Sequence, residues 1–249
     1  MKNILILGDS HSTRLGYSSM DWFEKNVESD TVINSNTHYN TKTLDENNFT
    51  IYMKDSLISY QDDNSKFLMS GHSGRSAYSY DFNNFASGTQ KDILSKWNVE
   101  GNIFIPWLGY IDCRNHLPNK ALKNHVGAKE VVEKYINNVM THFDKCKVVF
   151  MEPVPQFITI VTSSWRYPEM DPDIDFELRH EAYLDFIKEL RNQCSEKGLP
   201  EPINTSEILG TDMIGPWMQP KTPITVYLND HMREEYYAKI LSHIYNKFE

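Results

Sequence analysis

The stretch Ile4-Leu5-Ile6-Leu7-Gly8-Asp9-Ser10-His11-Ser12 decides the architecture. Four consecutive apolar residues suit a strand buried on both faces, as in a parallel sheet covered by helices. Gly8 breaks the run, Asp9 follows, and Ser10 falls where the strand ends. In open α/β sheets, ligands bind outside the carboxyl ends of the strands. A hydroxyl delivered there by a rigid strand is placed to attack a carbonyl. An ordinary strand followed by a polar turn would read the same way, so the tetrapeptide Gly-Asp-Ser-His does not choose between the two alone.

Working outward, strand-like runs alternate with helical patterns. A short helix is expected over 19–26. Residues 30–65 are rich in Asn, Asp, Thr and Ser, with weak strands near 31–33 and 49–53. Lys66 to Met69 reads as a strand that runs into Ser70-Gly-His-Ser-Gly-Arg-Ser-Ala77. Thr89 to Trp97 reads as a helix, and Asn102 to Leu108 as a strong buried strand. Gly127 to Phe143 carries apolar residues at 131, 132, 136, 139, 140 and 143, a helical spacing. Lys147 to Met151 is a further strand, Asp175 to Cys194 a long amphipathic helix, and Ile203 to Ile208 a poorer last strand. Asn229 to Phe248 reads as a terminal helix with Asn229 as its cap. Strands alternating with helices imply a mainly parallel sheet with helices on both faces. No repeat or linker divides the chain, so residues 1–249 are expected to form a single domain.

Composition limits what the chain does. A net charge of -9 disfavours nucleic acid as a partner, because phosphate binding needs concentrated Lys and Arg. It also disfavours an anionic membrane surface. The three cysteines, Cys113, Cys146 and Cys194, show no zinc or redox spacing, and a disulfide framework is not expected. No His/Asp/Glu spacing suggests a metal site, and no cofactor is implied. The amino-terminal apolar run is too short for a signal peptide, and no segment reaches the roughly 18 apolar residues of a membrane span. A cytoplasmic location is expected.

The order of motifs resembles the SGNH (GDSL-type) hydrolase family. The resemblance rests on Gly8-Asp9-Ser10-His11-Ser12, on Ser73-Gly74-Arg75-Ser76-Ala77, and on Gly109-Tyr110-Ile111-Asp112-Cys113-Arg114. It implies a flavodoxin-like three-layer α/β/α sandwich with a mainly parallel central sheet. It also implies esterase chemistry on a small or carbohydrate-linked ester, or acyl transfer. Ser10 corresponds to the family's nucleophile, and the N–H groups of Ser10 and Gly74 to its oxyanion donors. The third block is Gly-x-Asn-Asp in the family. Here Ile111 holds the asparagine position, as in a subset with Gly-x-Ile-Asp-Cys-Arg. Glu152-Pro-Val-Pro155 is also similar to that subset.

The family closes with Asp-x-x-His before the last helix, and two registers remain open in Ile224-Thr-Val-Tyr-Leu-Asn-Asp-His231. One puts Tyr227 at the histidine position and explains Leu228 and Asn229. The other takes His231 as the base, with the adjacent Asp230 as its carboxylate.

A serine hydroxyl needs a base within hydrogen-bond reach, and that base works better when a third group fixes its tautomer. His231 and Asp230 are the candidates for those roles. His72 and His116 are alternative bases, and His72 is also a candidate to line the cleft. Arg114 is the nearest polar substitute for the missing amide, or else a salt-bridge partner of Asp112 or Asp9. Asp9 and Asp112 are expected to hold the first and third loops in shape. His11 is expected to point away from the hydroxyl or into the adjacent wall. Trp107, Trp165, Tyr167 and Trp217 flank proposed loops and are candidates to stack on a sugar ring, with core burial the alternative, most clearly for Trp107. A catalytically degenerate protein that binds a glycan or a protein partner is the competing reading.

Overall fold

The computed structural model describes residues 2–9, 11–12, 15, 34–38, 55–61, 65–71, 76–81, 96–120, 125–155, 176–210, 227–228, 231–232 and 234–248. Strand β1, Lys2–Gly8, lies at the centre of a six-stranded sheet. The others are β2 (Asn34–His38), β3 (Asp55–Gln61), β4 (Ser65–Gly71), β5 (Asn102–Trp107) and β6 (Lys147–Val148), in the order β2-β3-β4-β1-β5-β6. β4, β1, β5 and β6 run parallel, while β2 and β3 form an antiparallel extension. The sequence placed its weak strands at 31–33 and 49–53. Those residues lie outside the described set, and the strands themselves begin at 34 and 55.

The sheet is covered on both faces, and β1 shows why. Its side chains alternate, as strand geometry requires. Leu5 and Leu7 enter one core with Phe104, Val132, Tyr135, Ile136, Val139, Tyr183, Phe186 and Leu190. Those partners come largely from helices α1 (Ala128–His142) and α2 (Phe176–Glu196). Ile4 and Ile6 enter a second core with Ile103, Ile105, Leu209, Tyr237, Ile240, Leu241 and Ile244. That layer is supplied by helices α3 (Thr205–Leu209) and α4 (Glu234–Phe248). No helix among the described residues is long and apolar enough to cross a membrane.

Two segments differ from their sequence reading. The last strand expected over Ile203–Ile208 shrinks to a single parallel bridge between Ile203 and Met151. Asn204 ends it, because its side chain accepts the Glu207 N–H at 3.1 Å and starts α3 instead. An asparagine cap satisfies a helix donor that a strand would leave for pairing. The terminal helix begins at Glu234 and not at Asn229. Ahead of it, β7 (Tyr227–Leu228) and β8 (His231–Met232) pair antiparallel, with Leu228 opposite His231. The segments 19–26 and 89–95, read as helical, lie outside the described residues, and Lys96-Trp97 is a turn.

The three cysteines are free and buried. Burial pushes their thiols up: Cys113 well above its usual range, Cys146 to about 11 and Cys194 to about 12.

Gly8 is where β1 and β5 meet most tightly. A Cβ there would lie 2.1 Å from the Trp107 carbonyl oxygen, a backbone atom with nowhere to go. Gly8→Ala is therefore expected to cost about 2 kcal/mol or more, the upper range for overpacking a core. It should be read as a lower urea midpoint, and an unchanged midpoint would show that the two strands have room to part.

Candidate functional site at the carboxyl ends of β1 and β5

After β1 the chain builds β2, β3 and β4 on one side of it, then crosses to β5 on the other. That reversal makes the β1/β5 carboxyl edge a topological switch point, the place where open α/β sheets hold ligands. Two loops leave this edge: the turn that starts at Asp9 and the segment from Leu108 to His116.

The first loop is organised by Asp9. Its Oδ1 accepts the His11 backbone N–H at 2.8 Å, and the Ser12 hydroxyl donates to the Asp9 carbonyl at 2.8 Å. This is an Asx-type turn, in which a short acidic side chain replaces a backbone partner. Asp9 is buried, and burial pushes its carboxyl up to about 7 from 3.8. The negative charge of Asp112 raises it further, while the His11 N–H opposes both effects.

The second loop is organised by Gly109 and Asp112. Gly109 has φ +115°, and a Cβ there would fall 2.6 Å from Phe186 Cζ on α2, so only glycine fits. The chain then makes a π-helical turn, Asp112–His116, closed by the Leu117 N–H donating to the Asp112 carbonyl at 2.9 Å. The Asp112 side chain has no exposure to solvent. Its carboxylate accepts the N–H of Ala77 at 2.5 Å and of Tyr78 at 3.2 Å. One carboxylate thus ties the third sequence block to the end of the second. His116 Nδ1 stands 3.4 Å from Asp112 Oδ1, with its ring partly in solvent. Ile111, at the position where the resemblance calls for an amide donor, packs against the apolar core on the α4 side. Arg114 is half-buried on the same π-helical turn.

The candidate residues are distributed unevenly. Asp9 is near enough to Asp112 to feel its charge. Tyr227 and His231 belong to the hairpin immediately ahead of α4, and only their backbone is described. Ser10, His72, Gly74 and Asp230 lie outside the described residues, as do Trp165, Tyr167 and Trp217. Trp107 is buried, with its indole N–H donating to the Glu152 carbonyl at 2.9 Å. It is core and not a sugar platform.

Two contacts had no sequence signal. His11 is buried with its Nδ1 2.9 Å from Tyr237 Oη, across 226 positions of chain. Glu152, also buried, accepts from Arg191 Nε on α2 at 2.5 Å. Burial raises the Glu152 carboxyl, and Arg191 opposes that. Among the described residues no group of three or more His, Cys, Asp or Glu is placed to hold a metal ion.

This arrangement has the SGNH-hydrolase-like α/β/α fold of the GDSL-type hydrolases. Solved structures share it, among them these two. One is a member of the lipolytic protein G-D-S-L family from Veillonella parvula, with TM-score 0.53 and 12% identity over 100% of this chain and 98% of that one. The other is the acetyl xylan esterase AlAXEase, with TM-score 0.53 and 12% identity over 99% of this chain and 100% of that one. No protein-family model matches the sequence, and no curated protein does.

Asp9 makes stability depend on pH. Unfolded, it ionises near 3.8; folded, near 7. Between those values the native chain holds a proton that the unfolded chain has released. Its stabilising contribution is therefore complete below the lower value and is lost as pH rises through the higher one. Asp9→Asn keeps an oxygen for the His11 N–H. It is expected to flatten the fall in Tm between about pH 4 and 7 and to melt higher than the parent at about pH 8. An equally steep fall in the variant would assign the dependence to another carboxyl such as Glu152. Asp112→Ala removes the acceptor of two backbone donors. It is expected to cost about 2–4 kcal/mol in urea unfolding, and a loss below about 1 kcal/mol would mean that those donors find other partners.

Proposed function

We propose that the chain is an SGNH-type serine ester hydrolase that deacylates a small or carbohydrate-linked ester, such as an O-acetyl group, through a Ser10 acyl-enzyme. The observation that carries this reading is the turn after β1. Asp9 and His11, on either side of Ser10 in sequence, are bonded to each other at the carboxyl end of the central strand, at the switch point of the sheet.

In the proposed reaction the Ser10 oxygen adds to the ester carbonyl while His231 takes its proton. The N–H groups of Ser10 and Gly74 receive the oxyanion. The C–O bond to the alcohol breaks, His231 returns the proton to the leaving alcohol, and the acyl group stays on Ser10. Water, activated by the same base, then releases the acid and regenerates the hydroxyl. Asp230 orients the base. His72, Arg114 and Tyr227 line the substrate side, and Asp9 and Asp112 shape the loops. One structural neighbour is named an acetyl xylan esterase, so an acetylated carbohydrate is the first natural substrate to try. The substrate is taken to be a small molecule or glycan, with no role for nucleic acid or a membrane. One domain is proposed to do all of this.

A second reading is favoured by Ile111. Its partly buried side chain packs against the apolar core and offers no donor where the resemblance requires one. Losing an oxyanion donor costs roughly 10²–10³ in rate. A protein of this fold that binds a glycan or protein partner without hydrolysis is the outcome if that loss is not compensated.

A fluorophosphonate probe and an activated acetyl ester separate the two. The parent protein is expected to label and turn over, and Ser10→Ala to do neither while melting at a similar temperature. A folded parent that does not label points to the binding protein. His231→Ala is expected to lower turnover by about 10²–10⁴, the usual worth of a general base. Unchanged turnover would move the base to His116, beside Asp112, or to His72.

A further inference from the structure

His11 is buried, with 1% of its surface exposed, in a box of aromatic rings. Tyr110 meets it edge-on at 4.5 Å between centroids, and Trp107 lies at 6.0 Å. Within this setting His11 Nδ1 lies 2.9 Å from Tyr237 Oη. An imidazole and a phenol hydroxyl both cost free energy to bury unless they bond. A pair of apolar side chains would fill the same space without that cost. What the polar pair adds is direction, since a hydrogen bond fixes distance and angle where packing alone leaves freedom.

The two ends of this bond matter. The His11 backbone N–H is held by Asp9, and His11 follows Ser10 directly. Tyr237 sits in the first turn of α4, which leads out of the hairpin carrying His231. The bond therefore spans the two segments from which the proposed nucleophile and base arise.

We infer that the His11–Tyr237 hydrogen bond is a positioning device for ester hydrolysis, fixing the Ser10 turn against the start of α4 so that hydroxyl and imidazole stay in register. This inference rests on the hydrolase reading above. His11 and Tyr237 act through Ser10 and His231 and transfer no proton themselves.

The test compares Tyr237→Phe with Tyr183→Phe in the full chain. Each removes one buried hydroxyl, and Tyr183 bonds Ser206 Oγ at 2.5 Å, joining α2 to α3. Steady-state kinetics on p-nitrophenyl acetate are measured well below the melting temperature of both variants. Both are expected to melt a few degrees lower than the parent. Tyr237→Phe should lower kcat by about 10- to 100-fold with KM changed by less than about twofold, as misplacement of reacting groups does. Tyr183→Phe should keep kcat within about twofold of the parent. The His11 side repeats the test should Tyr237→Phe fail to fold. His11→Leu should show the same loss of kcat, and His11→Asn, whose amide reaches about as far as Nδ1, should recover roughly a third of parent turnover or more. Parent-like kcat in Tyr237→Phe and His11→Leu overturns the inference and leaves the hydrolase reading standing. Equal losses in Tyr237→Phe and Tyr183→Phe do the same. A folded parent with no turnover and no probe labelling overturns the hydrolase reading and this inference with it.

Discussion

The close approach of two parallel strands at Gly8 and Trp107 governs the rest of the structure. A missing Cβ lets the backbone of β1 come against the Trp107 carbonyl. The strand ends are thereby drawn together where both chains leave the sheet. The loops that follow, one from Asp9 and one from Leu108, are forced into each other's company. Their acidic side chains are buried as a consequence, and each has to find backbone donors. Asp9 takes the His11 N–H, and Asp112 takes those of Ala77 and Tyr78.

The same constraint explains the glycine at 109. Once β5 ends beside β1, the chain has to turn over α2 with a left-handed residue pressed on Phe186. It then widens into a π-helical turn, and the Asp112 carboxylate reaches back to the Ala77 and Tyr78 N–H groups. Two buried carboxyls, Asp9 with its pKa raised by burial and Asp112, gather at this edge, and perturbed carboxyls are common at functional sites. Elsewhere among the described residues an apolar layer packs on each side of the sheet.

The sequence revealed what periodicity encodes. The Ile4–Leu7 run, the helical spacing through 131–143 and the Phe104–Trp107 segment each carry enough apolar side chains to fix their own structure. Short elements were less legible because pairing partners, not propensity, define them. Asn204 turned an apparent strand into a helix start, and the residues before α4 became a hairpin. At the site, Asp9 and Asp112 could be picked out from their loop positions. The donors that Asp112 binds, Ala77 and Tyr78, lie 35 and 34 positions away, and His11 and Tyr237 are 226 apart. No local pattern announces such pairs. From sequence, His11 is expected to point away from the hydroxyl or into the adjacent wall, and the wall itself is built by two distant segments, Trp107 with Tyr110 and Tyr237.

One feature of the core bears on how the molecule can be handled. Cys113, Cys146 and Cys194 are enclosed by the apolar layer and held protonated by it. Alkylation and oxidation need a thiolate in contact with solvent. The native chain thus presents a silent background to thiol reagents. Uptake of such a reagent becomes a count of molecules whose helical layer has opened, a built-in reporter that requires no engineered label.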